Sequence, residues 1–307
     1  MVTRRRGVGI TALAALFAAV TACGAEETRP AVVSALDDDA ITVASFDFAE
    51  SELLAEIYSQ ALEAKDLPVR RALRLGPREL VTPALVAGLV ELVPEYAGTA
   101  VQFVSAGEVA PSGAARGTHD ALTRALADRP VVALEPAPAQ DANAVVVTQQ
   151  TAERHGLETI SDLADVAPTL TFGGPPECPT RPYCLVGLSE VYGLQFETFV
   201  GLDVGGPLTQ QALTRGDIDV ALLFTTDPSI DHLVVLRDDR ALQPAENVVP
   251  LVRREAVERW GQELVATVDA VSAELTTEAL RALNAEMDGG RGAADVAAAW
   301  LGTQEIP

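Results

Sequence analysis

The chain is short of positive charge, and this shortage limits its partners. Among 307 residues there are 22 Lys or Arg against 44 Asp or Glu, which gives a formal net charge of −22. Lys65 is the single lysine. Because a field of this sign repels phosphate backbones and anionic headgroups, the charge argues against nucleic acid or anionic lipid as the main partner.

Metal-binding side chains are equally scarce. The three histidines, His119, His155 and His232, lie far apart in the sequence and away from the cysteines. Two thiolates without a nearby imidazole rarely complete a zinc site. We therefore expect no metal and no cofactor.

Motifs that carry catalysis are also missing. The sequence has no Gly-x-Ser-x-Gly nucleophile elbow, no His-Glu-x-x-His pair and no Gly-rich loop that would hold a phosphate. Glu95 and Asp227 could be paired as carboxylates, but no histidine lies near either in the sequence. The sequence therefore predicts that this protein is not an enzyme.

Long apolar runs are absent except near the start. Arg4 to Arg6 precede an apolar run over residues 8–20, which is the pattern of a secretory signal and too short to span a bilayer. Val20-Thr-Ala-Cys23 resembles a bacterial lipobox, in which the cysteine becomes the lipidated first residue. The alternative is an ordinary secretory signal with an incidental cysteine.

This leader predicts where the protein works. We expect residues 1–22 to be removed, Cys23 to carry lipid, and the acidic segment 23–39 to be a solvated tether outside the cytoplasmic membrane. The two remaining cysteines, Cys178 and Cys184, are six positions apart and would be oxidised there. Their predicted disulfide holds the loop from Pro175 to Pro182 in one shape.

Strand and helix patterns alternate along the rest of the chain. Ile41 to Ser45 is predicted to be a strand, and Asp47 with Glu50 has the spacing of a capping box before an amphipathic helix. The rhythm repeats through a third strand, predicted from Leu89 to Val93 and followed by Pro94-Glu95-Tyr96, and this order predicts a mostly parallel α/β sheet. A similar series from Val145 to Phe224 predicts a second lobe, and the residues from Arg254 onward are predicted to be mostly helical.

Polar, proline-containing stretches mark where the chain passes between the lobes. They lie at residues 136–143 and 243–247. We predict one lobe from residues 40–138 with 248–307 and another from residues 139–247. Two lobes joined by two crossings form a hinged clamshell with a ligand cleft between them.

Three segments carry a resemblance to a known family. They are residues 44–58, residues 83–99 with the element Pro-Glu-Tyr-Ala-Gly-Thr, and residues 219–227 with Leu-Leu-Phe-Thr-Thr-Asp. Together they resemble the substrate-binding proteins of osmoprotectant ABC importers, which serve glycine betaine, choline and carnitine. The resemblance implies a two-lobed periplasmic-binding-protein fold of type II, lipid anchoring, and delivery of a small solute to a membrane permease with its ATPase subunits.

The family resemblance also implies a cage of tyrosines around a quaternary ammonium group. Aromatic faces attract such a cation, which cannot donate hydrogen bonds. Aligned on the family pattern, the four cage positions fall at Tyr96, Asn143, Gln210 and Phe224. Two amides replace tyrosines, so the pocket is predicted to suit a solute more polar or larger than betaine. Phe46 in the first turn could restore one wall.

Further ligand contacts are expected around the cleft. Arg181 matches an arginine that grips a ligand carboxylate in some family members, although a surface arginine between prolines is unremarkable. Asp47 is a weaker candidate because helix capping explains it as well. The other candidates lie in the first turn, in the Pro-Glu-Tyr motif and at a strand end: Ser45, Thr99, Thr225, Thr226 and Asp227.

The sequence therefore predicts a monomeric, extracytoplasmic solute-binding lipoprotein of an ABC importer. Its cargo would be a betaine-like quaternary ammonium compound or a more polar relative. The alternative is a sensory or surface-interaction lipoprotein that keeps the binding fold without a transporter.

Overall fold

A computed structural model describes residues 39–304 of the chain. The predicted leader, the lipidation site Cys23 and nearly all of the predicted tether lie outside the described residues. Among residues 39–304, no helix is long and apolar enough to cross a membrane.

The described part of the chain alternates between strands and helices. The strands are β1 (Ile41–Ala44), β2 (Val69–Ala72), β3 (Leu92–Tyr96), β4 (Val131–Ala133), β5 (Asn143–Val147), β6 (Thr171–Gly174), β7 (Thr198–Gly201), β8 (Val220–Phe224), β9 (Val234–Val235) and β10 (Val248–Arg253). The α-helices are α1 (Ala49–Glu63), α2 (Arg78–Ala87), α3 (Ala97–Val104), α4 (Ala115–Ala125), α5 (Gln149–His155), α6 (Leu185–Tyr192), α7 (Pro207–Arg215), α8 (Arg254–Glu274), α9 (Thr277–Asp288) and α10 (Ala293–Leu301).

The strands form two five-stranded sheets. The first has the order β2-β1-β3-β10-β4 and the second the order β7-β6-β8-β5-β9. In each sheet the first three strands are parallel, while the strand in the fourth position runs antiparallel to both of its neighbours. The mixed α/β class is confirmed. Four of the five strands in each sheet therefore run in the same direction, as the prediction of a mostly parallel sheet requires, and β10 and β5 are the strands that run the opposite way.

The core of the first sheet follows from its sequence. β1 and β3 are buried on both faces, and an α/β sheet covered by helices requires such apolar strands. The inner face of α1 includes Leu53, Leu54 and Ile57, all fully buried, and α1 packs against α8 and α10. The apolar spacing predicted α1 correctly, but most of its contacts come from helices more than 190 residues later in the chain.

Two local predictions are wrong. The N-cap of α1 is Phe48 and makes no side-chain capping bond, so Asp47 and Glu50 do not form a capping box. Glu50 is buried inside the fold, whereas Asp47 is exposed and pairs with Arg74 at 3.1 Å. The Pro-Glu-Tyr motif was also placed after its strand, yet these residues are the last three of β3. Tertiary partners, rather than local capping, decided both cases.

The chain passes between the sheets twice. It leaves the first sheet after β4 and returns to it at β10. The two passages run antiparallel to each other at a bridge between Gln140 and Asn247. The Asp141 N–H donates to the Glu246 carbonyl at 3.0 Å, and the Asn247 amide donates to the Ala137 carbonyl at 2.8 Å. These hydrogen bonds hold the two passages side by side between the sheets.

Candidate functional site

A cavity of about 700 Å³ lies between the two sheets. Its lining comes from the first-sheet side, from the second-sheet side and from both passages between them. Clefts of this size that are mostly apolar, with a few polar groups, are typical of small-molecule sites. This cavity is therefore the candidate ligand site.

Three aromatic rings form one wall of the cavity. The Phe46 and Phe48 rings are stacked with centroids 6.1 Å apart, and Phe48 and Tyr96 follow at 6.0 Å. Phe46 and Phe48 come from the turn between β1 and α1, and Tyr96 ends β3. The side chain of Tyr96 is 6% exposed, so its position is fixed by packing. Aromatic rings that line a cavity can bind an organic cation.

The opposite wall comes from the second sheet and the loop between the cysteines. Phe224, at the end of β8, and Tyr183 both line the cavity. Asn143 lines it too, but its amide already donates to the Tyr183 carbonyl at 3.0 Å and to the Gln243 side chain at 3.1 Å. Asn143 therefore helps to position Tyr183, which was not predicted as a site residue. Both hydrogen bonds of the Asn143 amide nitrogen are made within the protein, and these bonds compete with its predicted role as a ligand contact.

The ring of Tyr96 is held in place by a buried carboxylate. Its hydroxyl donates to Glu50 at 2.8 Å, and the Asn284 amide donates to the other Glu50 oxygen at 2.6 Å. Asn284 also donates to the Thr226 carbonyl at 3.1 Å, and Thr226 donates to Asp141 at 2.7 Å. This chain of hydrogen bonds ties Tyr96 to the end of β8 and to the first passage between the sheets.

Two carboxyl groups form the floor of the cavity. Asp141 lies on the first passage and Glu246 on the second, and their side chains are 7% and 4% exposed. Glu246 accepts hydrogen bonds from the Thr99 backbone at 3.0 Å and from the Thr99 hydroxyl. Thr99 lies in the first turn of α3, one residue after Gly98, where an added Cβ would lie 2.5 Å from the Pro244 side chain. The glycine of the Pro-Glu-Tyr-Ala-Gly-Thr motif thus lets α3 approach the second passage.

An ion pair between Arg78 and Glu95 supports the aromatic wall. Arg78, in the first turn of α2, makes two hydrogen bonds to Glu95, at 2.7 and 2.9 Å. The Glu95 side chain is 2% exposed and that of Arg78 is 14% exposed. The guanidinium also lies 5.1 Å from the centroid of the Phe46 ring. Arg78 therefore neutralises a buried carboxylate and covers one ring of the wall.

Arg181 lies at the edge of the cavity within the loop between Cys178 and Cys184. Instead of an unpaired guanidinium, the structure shows an ion pair with Glu79 of α2 at 2.7 Å, between partly exposed side chains. Because Glu79 belongs to the first-sheet side and Arg181 to the second, the pair joins the two sides of the cleft. The cysteines have Cα atoms 5.3 Å apart, a separation that suits a disulfide.

A smaller cavity of about 240 Å³ adjoins the first and shares Phe48, Asp141 and Phe224 with it. Gln210 and Asp227 line this second space, and the Gln210 amide donates to both Asp227 oxygens, at 3.2 and 3.0 Å. The cage position predicted at Gln210 therefore lies beside the aromatic cavity rather than in it.

The twelve predicted ligand residues separate by location. Those that line the larger cavity are Phe46, Asp47, Tyr96, Thr99, Asn143, Arg181 and Phe224. Gln210, Thr226 and Asp227 line only the smaller one. Ser45 and Thr225 line neither: the Ser45 hydroxyl accepts from the Arg74 backbone at 2.7 Å, and the Thr225 hydroxyl donates to the Gln140 carbonyl at 3.1 Å.

The larger cavity is also lined by aromatic and charged residues that were not predicted as ligand contacts, among them Phe48, Arg78, Asp141, Tyr183 and Glu246. Phe48 could have been found, because it follows Phe46 by two positions in the same turn. Glu246 is a single acid in the Ala-Glu-Asn-Val-Val stretch of a predicted crossing, and nothing local shows that its side chain is buried. Within residues 39–304, no group of three or more His, Cys, Asp or Glu side chains could hold a metal ion.

Burial changes the ionisation of three carboxyl groups around the cavity. Desolvation raises the pKa of Glu246 from 4.5 to about 7. Desolvation also raises the pKa of Glu50, and it raises that of Asp141 well above its ordinary value, where the nearby Glu50 charge adds to the effect. These three carboxyl groups therefore retain protons at a pH at which exposed carboxyl groups have lost theirs.

These shifts predict that the protein becomes less stable as the pH rises. The folded state binds protons that the unfolded chain releases, so the free energy of unfolding falls between the ordinary and the raised pKa values. A pKa of about 7 for Glu246 corresponds to about 3 kcal/mol, lost between pH 4.5 and 7. The melting temperature should fall from pH 5 to pH 8, with a smaller decrease for Glu246→Gln. A rising melting temperature over this interval would contradict the assignment.

Two sheets, two antiparallel passages and an aromatic-walled cavity between them define a solute-binding protein of the two-lobed α/β class. A family model, OpuAC, described as the substrate-binding domain of the ABC-type glycine betaine transport system, matches residues 39–303. The chain belongs to this family, which confirms the predicted resemblance.

Known relatives agree with the family assignment. The glycine betaine-binding protein YehZ of Escherichia coli is 27% identical over 249 residues, covering 78% of this chain and 81% of the relative. A glycine-betaine-binding protein of Pseudomonas aeruginosa is 28% identical over 253 residues, covering 78% and 80%. A crystal structure of a glycine betaine/carnitine/choline ABC transporter protein superposes with a TM-score of 0.68 at 26% identity, covering 85% of this chain and 97% of that one. The predicted type II periplasmic-binding-protein fold is confirmed.

Proposed function

We propose that this protein is an extracytoplasmic solute-binding protein that captures a quaternary ammonium compound, or a more polar relative, and delivers it to an ABC importer permease. The observation that carries the proposal is the row of stacked rings from Phe46 through Phe48 to Tyr96 along a cavity between two sheets. Two relatives that carry glycine betaine in their names support the same class of solute.

The physical basis is the attraction between a cation and aromatic faces. A quaternary ammonium group cannot donate hydrogen bonds, so hydrogen-bond acceptors in a pocket recover little of the hydration free energy that the cation loses on binding. The face of a desolvated aromatic ring, in contrast, contributes about 2 kcal/mol. Phe224 and Tyr183 face the cavity from the other side. A volume of about 700 Å³ also leaves room for a solute larger than glycine betaine.

Delivery requires that the cleft open and close. We propose lobes of residues 40–138 with 248–307 and of residues 139–247, hinged at the two antiparallel passages. The Arg181 to Glu79 ion pair joins the two sides in this structure. A permease would then select the ligand-bound, closed form.

The leader and the cysteines suggest how the protein is held and shaped. We propose removal of residues 1–22, a lipid on Cys23, and a disulfide between Cys178 and Cys184. Mass spectrometry of the mature N-terminus tests the lipid, and an unmodified N-terminal cysteine would disprove it. Peptide mapping under non-reducing conditions tests the disulfide, and two free thiols in the exported protein would rule it out.

A thermal-shift panel tests the proposed function. The panel contains glycine betaine, choline, carnitine and more polar quaternary ammonium compounds, together with sugars and amino acids as unrelated solutes. We expect a quaternary ammonium compound to give the largest rise in melting temperature, because a ligand that binds only the folded state adds about 2.7 kcal/mol at 100 times its Kd. Calorimetry then gives the affinity. Stabilisation by sugars or amino acids alone would reject the proposal.

A further inference from the structure

The charged groups around the larger cavity are not balanced. Among the lining residues that the structure describes, the cationic side chains are Arg78 and Arg181, and each already has a carboxylate partner. Arg78 makes its two bonds to Glu95, and Arg181 pairs with Glu79. The positive charge of each guanidinium group is therefore already paired with a carboxylate of the protein.

The floor of the same cavity carries acids that have no guanidinium as a hydrogen-bond partner among the described residues. Glu246 accepts from Thr99, and Asp141 accepts from Thr226 and contacts the carboxyl group of Glu50. Both acids are more than nine-tenths buried, on passages held together by the Asp141 to Glu246 backbone bond. A carboxyl group fixed in a low-dielectric floor attracts a cation and repels an anion more strongly than it would in water.

The charge of the whole chain acts in the same direction. A net charge of −22 attracts a cationic solute towards the cleft, has little effect on a zwitterion, and repels an anion. The local and the long-range fields thus favour a solute with net positive charge.

We propose that this cleft selects organic cations that carry no carboxylate, and that Glu246 is the residue that makes the selection. The inference rests on the proposed function, because it names the charge class of the solute bound between the aromatic walls. The ring faces bind the ammonium head. Glu246 accepts a hydrogen bond from a neutral tail such as a hydroxyl group, and repels a tail that ends in a carboxylate.

The groups that face Glu246 set how its charge depends on pH. They are Arg78 of α2, Glu95 of β3 and Tyr183 of the cysteine loop, with Asp141 on the same cavity floor. With a pKa of about 7, Glu246 is mostly protonated at pH 6 and mostly ionised at pH 8. A bound cation favours the ionised form, so binding of the cation should release a proton and strengthen as the pH rises.

Choline and glycine betaine make a matched pair of probes. Both carry a trimethylammonium head of the same size, and they differ in a hydroxymethyl group against a carboxylate. By calorimetry at pH 7.5 we expect choline to bind at least about tenfold more tightly than glycine betaine. From pH 6 to pH 8 the affinity for choline should rise about tenfold if Glu246 is fully ionised in the complex, because the ionised fraction of the free protein rises by that factor.

Glu246→Gln tests the residue itself. This variant should bind choline about tenfold more weakly, lose most of the preference over glycine betaine, and show a flatter pH profile. Glu190→Gln is the matched control, because Glu190 is exposed on α6 and lies outside the cavity lining. This substitution changes the net charge by the same amount as Glu246→Gln. It should behave as the unmodified protein does. The melting temperature of each variant shows that it is folded.

The outcomes separate the two proposals. If glycine betaine binds as tightly as choline or more tightly, the charge selection is wrong while the proposed function stands. If Glu246→Gln keeps the full preference, Glu246 is not the selecting residue. If neither choline nor glycine betaine nor any other compound of the panel with a quaternary ammonium group binds, the proposed function fails, and the inference fails with it.

Discussion

Tyr96→Ala is expected to weaken the binding of the preferred quaternary ammonium solute by about 30- to 100-fold, which corresponds to about 2 to 3 kcal/mol. The substitution removes the ring at one end of the stacked row, 6.0 Å from Phe48, and leaves Glu50 without the hydroxyl that donates to it. Calorimetry on the purified variant measures the loss.

Tyr96→Phe separates the ring from its hydroxyl. It keeps the aromatic face and removes only the hydrogen bond to Glu50, so its affinity should stay within about threefold of that of the unmodified protein. If Tyr96→Ala, confirmed as folded by circular dichroism, bound the solute normally, Tyr96 would be a packing residue and not part of a cation site. Equal losses in both variants would assign the effect to the hydroxyl and Glu50 instead of the ring.

Arg78→Met is expected to lower the free energy of unfolding by about 3 to 5 kcal/mol, since it leaves the carboxylate of Glu95 buried without a charged partner. Glu95 is 2% exposed and accepts two hydrogen bonds from the Arg78 guanidinium and one from the neutral backbone N–H of Tyr96. Equilibrium unfolding in urea measures the change. The double variant Arg78→Met/Glu95→Gln should recover most of the loss, because the buried charge is gone.

Arg74→Met provides the matched control. Arg74 pairs with Asp47 and Glu52, but its side chain is 50% exposed and that of Asp47 is 60% exposed. Ion pairs in contact with water contribute little, so this variant should lose less than about 1 kcal/mol. A loss for Arg78→Met as small as that for Arg74→Met would show that Glu95 takes up a proton or finds another partner at low cost.

Local patterns predicted the strands and helices better than their arrangement. Buried strands such as β1 and β8, and the apolar face of α1, are encoded over a few residues and were recognised from spacing alone. The direction of β10 was not predicted. This strand pairs with β3 so that Val248 lies opposite Tyr96, and these two residues are about 150 positions apart in the chain. Pairing at that distance depends on how the second lobe returns the chain, and no local periodicity carries this information.

Glu50 shows why site prediction failed where local rules looked strongest. Its spacing from Asp47 fits a capping box, and each acid alone would suit the first turn of a helix. The structure buries Glu50 against Tyr96 and Asn284, residues of β3 and α9. The competing partners lie 46 and 234 positions away, so only the assembled fold could decide between capping and support of the cavity wall.

The sequence by itself determined the class of the protein: its acidic charge, its α/β alternation and the Pro-Glu-Tyr-Ala-Gly-Thr motif, because these depend on composition and short spacings. The tertiary structure decided the composition of the cavity. It places Phe48 and Tyr183 in the same cavity as Tyr96 and Phe224, and it buries Glu246 in the floor of that cavity. Gln210 lines the smaller, adjoining cavity instead. Those outcomes depend on two sheets facing each other across two crossings, and that geometry exists only once the whole chain has folded.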